Sequence, residues 1–305
     1  MPTNKPLAGV LPIVHTPFTD NDVIDEACLR RQLDWAFDIG ADGCGTGMVS
    51  EILRLTTHER TRLAHLIPEI VAGRGPVFAS VGAESTAQAI IYAREAESAG
   101  NDALMAIPPT LTGLPKQAQL DYFSALAEAT ALPLIIQDAS AYVGQAIPLE
   151  VLVKLLEKFG PDKILFKPEA APLGPNLSAL RDATNGQAKI FEGSGGILLI
   201  DSFRRGITGT IPGMDLLDGI IEVWHALQAD NDERAYEVYF PICALTALQM
   251  QAGLDGLLAI EKYLLVKRGL FVTANRRKPY KWELDEETQA ETDRLFAMLQ
   301  GYLSA

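Results

Sequence analysis

The stretch Ile164-Leu165-Phe166-Lys167-Pro168-Glu169 sets an amine and a carboxylate two residues apart. Side chains alternate along a strand, so Lys167 and Glu169 share a face with Leu165, while Ile164 and Phe166 take the other. If Ile164 and Phe166 meet a helix layer, Lys167 projects into an interior where desolvation favours the neutral amine. A neutral amine attacks ketones and can form a Schiff base. The same spacing also suits a strand-end lysine that snorkels to solvent or simply pairs with Glu169. Glu192 closes another apolar run and is followed by Gly193-Ser194-Gly195-Gly196. Glycines ahead of a helix expose backbone N–H groups that hold a carboxylate or phosphate, and they serve equally as a tight turn. Gln137 ends a third apolar run, either as a reacting-site polar group or as an amide satisfied by backbone. Ser50-Glu51, before Ile52-Leu53, is a weaker candidate, since that pair often just opens a helix.

The elements that must position these groups repeat along the chain. Short apolar runs at 8–14, 43–46, 77–80, 103–106, 134–137, 164–167, 189–192 and 207–211 read as parallel strands covered on both faces. Helical periodicity falls between them, at 25–39, 57–71, 85–99, 115–129, 148–159, 176–184, 196–205 and 215–229. Ser85 caps a helix start, Pro148 suits a first turn, and Gly40, Gly100 and Gly160 stand where helices stop. Eight β–α units in series predict a closed (β/α)8 TIM barrel over residues 1–230. An open doubly wound sheet is the rival, but no GxGxxG follows the first run, and Gly43-x-Gly45-x-Gly47 has the wrong spacing. Three further helices, near 233–250, 254–268 and 285–302, form a C-terminal helical region over residues 231–305. Reacting groups in such a barrel sit at the carboxyl ends of strands. That shortens the candidates to Ser50 and Glu51, Pro108 to Thr110, Gln137 and Asp138, Lys167 and Glu169, Glu192 to Gly196, and Ile211 to Gly213.

Composition removes several function classes. The 305 residues carry 26 basic against 39 acidic side chains, a net charge of −13 that repels nucleic acid and anionic lipid. Cys28, Cys44 and Cys243 are far apart and the four histidines show no metal-binding spacing, so neither disulfide nor metal is expected. No apolar run reaches the ~18 residues of a membrane span, and residues 1–6 lack the features of a signal peptide, so the expectation is a cytoplasmic protein.

The stretches 9–18 (GVLPIVHTPF), 82–90 (GAESTAQAI), Phe166-Lys167 and Gly209-Thr210-Ile211 resemble the dihydrodipicolinate synthase / N-acetylneuraminate lyase family of class I aldolases. The resemblance covers nearly the whole chain. It implies the barrel, the helical appendix and often a homotetramer, with a homo-oligomer expected here. It also implies a lysine that condenses with the keto group of pyruvate or another 2-keto acid, with no separate cofactor; Lys167 stands at that position. The family's Gly-Thr-Thr-Gly-Glu loop reads Gly47-Met48-Val49-Ser50-Glu51 here, leaving Ser50 as the only hydroxyl. Gln137 takes the place of a proton-relaying tyrosine, Pro109-Thr110 that of a second tyrosine, and Tyr142 that of the synthases' arginine.

Gln137-Asp138-Ala139, Lys167-x-Glu169 and Glu192-Gly193 are similar to the 2-keto-3-deoxyarabonate dehydratase branch. That similarity implies a Schiff-base dehydration, in which the protonated imine acidifies C3 and two carboxyl groups move protons. Glu169 is then the candidate nearest the Schiff base, Glu192 assists the leaving hydroxyl, and Gln137 orients a water or hydroxyl. Val49, Ser50, Gly193, Ser194 and Ile211 are the candidate substrate contacts. A pyruvate-dependent aldolase or synthase is the alternative enzyme, and a keto-acid-binding sensor the alternative from another class.

Overall fold

The structure, a computed structural model, describes residues 6–304. Eight strands alternate with eight helices: β1 (Gly9–Val10), α1 (Glu26–Asp38), β2 (Cys44–Gly45), α2 (Thr57–Val71), β3 (Val77–Ser80), α3 (Thr86–Ser98), β4 (Ala103–Ala106), α4 (Lys116–Ala129), β5 (Leu134–Asp138), α5 (Leu149–Phe159), β6 (Ile164–Pro168), α6 (Leu173–Ala183), β7 (Phe191–Glu192), α7 (Leu199–Arg204), β8 (Gly209–Thr210) and α8 (Leu217–Gln228). Three more follow, α9 (Asp232–Met250), α10 (Gly253–Lys267) and α11 (Glu286–Ser304). Among the described residues no helix is long and apolar enough to cross a membrane.

The chain folds as two compact units. One takes Thr57–Gly193 and Asp201–Thr210 with residues 6–8. Its strands are parallel, and the register runs Phe78↔Ala103, Leu104↔Leu134 and Leu134↔Ile164, with Gln137 opposite Lys167 and Asp138 opposite Pro168 at its end. A bridge from Phe166 to Ile190 carries the pairing to β7, where Glu192 lies opposite Thr210 of β8. One face of this sheet packs on helices: Ile136, Ile164 and Phe166 join Leu155 and Leu156 of α5 and Leu177 of α6 in one apolar cluster. The buried positions Val151, Leu152, Leu155 and Leu156 form the stripe that holds α5 to the strands.

The other unit comprises Gly9–Thr56, Ser194–Ile200 and residues 211–304. It holds β1, β2, α1, a 3-10 turn at Met48–Ser50, and α8 to α11. The C-terminal leucines pack inward. Ile242, Leu245, Leu257, Leu258, Leu264 and Leu265 are all buried, so little of their surface remains for another subunit.

Local chemistry explains most boundaries. Ser85 accepts from the Gln88 N–H at 3.2 Å and starts α3, and Gly40, Gly100 and Gly160 adopt positive φ just past helix ends. The first run spans 8–14 in the sequence, but its strand is only two residues long, with an isolated bridge at Ile13. Pro12 has no N–H, and the Ile13 N–H turns to the Pro212 carbonyl at 2.8 Å. Helix α6 starts three residues earlier than periodicity predicts because Pro172 stands just before its first turn, where its fixed φ is tolerated. Helix α7 is shorter than predicted, since Gly195 and Gly196 both adopt positive φ ahead of it.

Candidate active site

The register explains why Lys167, Glu169 and Gln137 meet. Gln137 and Lys167 are paired positions on β5 and β6, so their side chains rise from one level of the sheet. Glu169 lies just past β6, where its N–H donates to the Asp138 carbonyl at 2.9 Å and keeps the chain aligned with β5. Lys167 Nζ donates to Glu169 Oε1 at 3.0 Å, and Gln137 Nε2 donates to Glu169 Oε2 at 2.6 Å. Both carboxylate oxygens are therefore held. All three residues are buried, with Lys167 only 4% exposed. Pairing with Glu169 and burial of the amine thus occur together, whereas a strand-end lysine snorkelling to solvent would be exposed.

Burial pushes the Glu169 carboxyl above its usual range. Lys167 and the Gln137 hydrogen bond oppose the shift, and the neighbouring Glu192 adds to it. Glu192 lies on β7 with no exposure, and Thr210 Oγ1 of β8 donates to its Oε2 at 2.7 Å. Thr210 belongs to the Gly209-Thr210-Ile211 stretch, yet only the β7–β8 register reveals that it holds Glu192. Gly193 is part of the same construction. A Cβ there would fall 2.5 Å from Lys167 Cε and 2.6 Å from Glu169 Oε1, so the backbone passes directly over the pair. An amine against a carboxyl that readily takes and returns a proton, beside a second carboxyl, suits imine formation and proton transfer at an adjacent carbon.

The remaining predicted contacts lie in the other unit. The Ser50 hydroxyl donates to the Val14 carbonyl and accepts from the Gly47 N–H at 3.1 Å, so its proton is already engaged. Ser50 and Glu51 do not open a helix. They end the 3-10 turn, with Glu51 in the left-handed region, buried, and paired to Lys262. Glu51 Oε2 also accepts from the Arg277 N–H at 2.7 Å. Val49 is half-buried, Ile211 is buried, and Ser194 Oγ accepts from the Leu198 N–H at 2.9 Å at the turn before α7. In the first unit, Thr110 is anchored by Glu84, whose Oε1 accepts from the Thr110 hydroxyl at 2.6 Å.

A second buried polar group, which spacing in the sequence does not suggest, occupies the other unit. His15 Nε2 lies 2.8 Å from Glu261 Oε2, though 246 positions separate them. Gln249 Nε2 donates to Asp215 Oδ2 at 2.5 Å. Burial lowers the His15 imidazole to about 4, and it raises Asp215 to about 7 and Glu261 to about 8. Burial also lowers Lys262 to about 8, against the pull of Glu51.

Comparison with known proteins agrees with this architecture. The model of the dihydrodipicolinate synthetase family matches residues 6–297. An L-2-keto-3-deoxyarabonate dehydratase from Azospirillum brasilense is 28% identical over 293 residues, covering 93% of this chain and 91% of that protein. A 4-hydroxy-tetrahydrodipicolinate synthase from Methanothermobacter thermautotrophicus is 30% identical over 176 residues, 57% of this chain and 61% of that one. The structure of the 4-hydroxy-tetrahydrodipicolinate synthase from Methylacidiphilum fumariolicum SolV superposes with a TM-score of 0.88 at 22% identity, covering 98% of both chains. That likeness establishes the (β/α)8 barrel with C-terminal helices that the repeating elements predict. With the family matched over almost its whole length, this chain belongs to the dihydrodipicolinate synthetase family and is a lyase.

Proposed function

We propose that the chain removes water from a 2-keto-3-deoxy sugar acid through a Schiff base on Lys167. The observation that carries this reading is the buried contact of Lys167 Nζ with Glu169 at 3.0 Å, with Gln137 on the other carboxylate oxygen at 2.6 Å. The Lys167 amine adds to the C2 carbonyl, and loss of that oxygen as water leaves a protonated imine. Glu169, as carboxylate, takes a proton from C3, and the C–H electron pair moves toward the imine nitrogen to give an enamine. The enamine electrons then re-form the imine and a C3–C4 double bond as the C4–O bond breaks. Glu192 supplies the proton with which the hydroxyl leaves as water, and Gln137 holds that hydroxyl or the water. Hydrolysis of the unsaturated imine frees the product and restores Lys167.

Two features support dehydration over carbon–carbon cleavage. An amide, Gln137, stands where the resemblance places a tyrosine, and the relative matched over 93% of the chain is a dehydratase. The synthase relative keeps the aldolase or synthase reading as the competitor. Incubation with five- and six-carbon 2-keto-3-deoxy acids, followed by mass spectrometry, separates the two. Dehydration gives a product one water lighter, whereas pyruvate with an aldehyde as the only products refutes it. Borohydride reduction should trap the substrate on Lys167, and Lys167→Arg should abolish both adduct and turnover, because guanidinium stays protonated. We further infer a homo-oligomer, supported by the exposed Leu111 and Phe240, at 82% and 63%. Light scattering of a monodisperse monomer would refute it.

A further inference from the structure

The proposed reaction makes no use of the group formed by His15, Asp215 and Glu261. One ligand-type atom from each of these buried residues lies within 4.8 Å of the others. The ring of His15 is placed firmly by its backbone. The His15 N–H donates to Gln32 Oε1 at 3.2 Å, and its carbonyl accepts from Gln32 Nε2 at 2.7 Å. Glu261 is carried by α10 and Asp215 by the segment after β8.

Two observations point to a ligand. His15 has no exposure, and among the described residues its Nδ1 finds no hydrogen-bond partner. A buried ring nitrogen left so is costly unless something binds it. Gly213 supplies the second. A Cβ at that residue would lie 2.7 Å from Asp215 Oδ1, 3.3 Å from Glu261 Oε1 and 3.4 Å from His15 Cε1. The two carboxylates and the imidazole edge therefore converge against the Gly213 backbone, where an added methyl group would collide with Asp215.

We propose that His15, Asp215 and Glu261 bind one divalent transition-metal ion, with zinc the best match. One imidazole and two carboxylates suit a borderline cation; all-oxygen ligation would suit magnesium or calcium, and thiolates would suit copper(I). Zinc holds such ligands at about 2.0–2.2 Å, so its donors sit roughly 3.3–3.6 Å apart, and the three groups, within 4.8 Å of one another, need close by no more than about 1.5 Å. The charge balances as well, because two carboxylates cancel the charge of a divalent ion. The charged groups facing the site include Lys262 and Glu51, which are paired with each other, leaving Asp215 and Glu261 to the ion. The ion ties the segment after β1 to the segment after β8 and to α10. The site does not depend on the reaction assigned to Lys167.

The full chain, expressed with zinc in the medium and dialysed, is the material for the test. Elemental analysis should find equimolar zinc in the wild type and none above trace in Glu261→Gln or Asp215→Asn. Both replacements keep the side-chain shape, and circular dichroism checks their folding. Chelator should lower the thermal midpoint of the wild type and leave the variants unmoved, with zinc and not magnesium restoring it. Wild-type protein that carries no transition metal and is insensitive to chelator overturns the proposal. So does a folded variant that holds as much zinc as the wild type.

Discussion

Replacing Gly193 by alanine tests the candidate site with a single added carbon. The backbone of Gly193 lies outside the left-handed region, so alanine meets no dihedral penalty there and acts only through space. Its Cβ would sit 2.5 Å from Lys167 Cε, where ordinary contact begins at 3.4 Å, so the lysine end must retreat by about 0.9 Å. Glu169 Oε1, at 2.6 Å from the same point, must move almost as far. Misplacing reacting groups by ~1 Å costs on the order of 100-fold in rate, or about 2.7 kcal/mol of barrier. Overpacking a rigid core costs about 1–3 kcal/mol, but the atoms met here are the ends of flexible side chains, so the expected stability loss is below about 1 kcal/mol. The assay is kcat/KM on whichever keto-deoxy acid the wild type dehydrates, with a urea denaturation curve alongside. An alanine variant with wild-type kcat/KM refutes the claim that the Lys167–Glu169 contact sets the rate. Parallel loss of folding refutes the claim that only side-chain ends are displaced.

Thr210→Val removes the 2.7 Å hydrogen bond to Glu192 at nearly constant volume and should cost about 1–3 kcal/mol by urea denaturation; an unchanged midpoint would show that Glu192 needs no such support. Glu169→Gln tests the upward shift of that carboxyl. Stability tied to a raised carboxyl is present below the unfolded-state value and is lost as pH rises through the folded one, so the thermal midpoint of the wild type should fall relative to the variant as pH rises from about 4.5. A difference independent of pH would contradict the burial argument. Lys262→Met leaves the Glu51 carboxyl buried without its cation and should destabilise by about 3–5 kcal/mol, with Glu51→Gln in the same chain restoring part of it; two additive losses would show that the residues are not coupled.

The order of elements, the location of Lys167 and its companionship with Glu169 were all legible in the sequence. Those features depend on local periodicity: alternation along β6 placed Lys167 opposite Phe166, and capping residues such as Ser85 marked where helices begin. Strand length was less legible, because ladder hydrogen bonds depend on a partner, and Pro12 left β1 with only two paired residues. That Gln137 bonds to Glu169, and that Thr210 holds Glu192, followed only from the strand register, which brings together residues 32 and 18 positions apart. The His15–Glu261 contact lay further out of reach, since no spacing rule spans 246 residues. Sequence determines what a residue's near neighbours do through repeats of two and 3.6 positions. Which distant polar groups share a dry interior, and whose protons they must then hold, is decided by how strands and helices pack, because desolvation and Coulomb forces act through space.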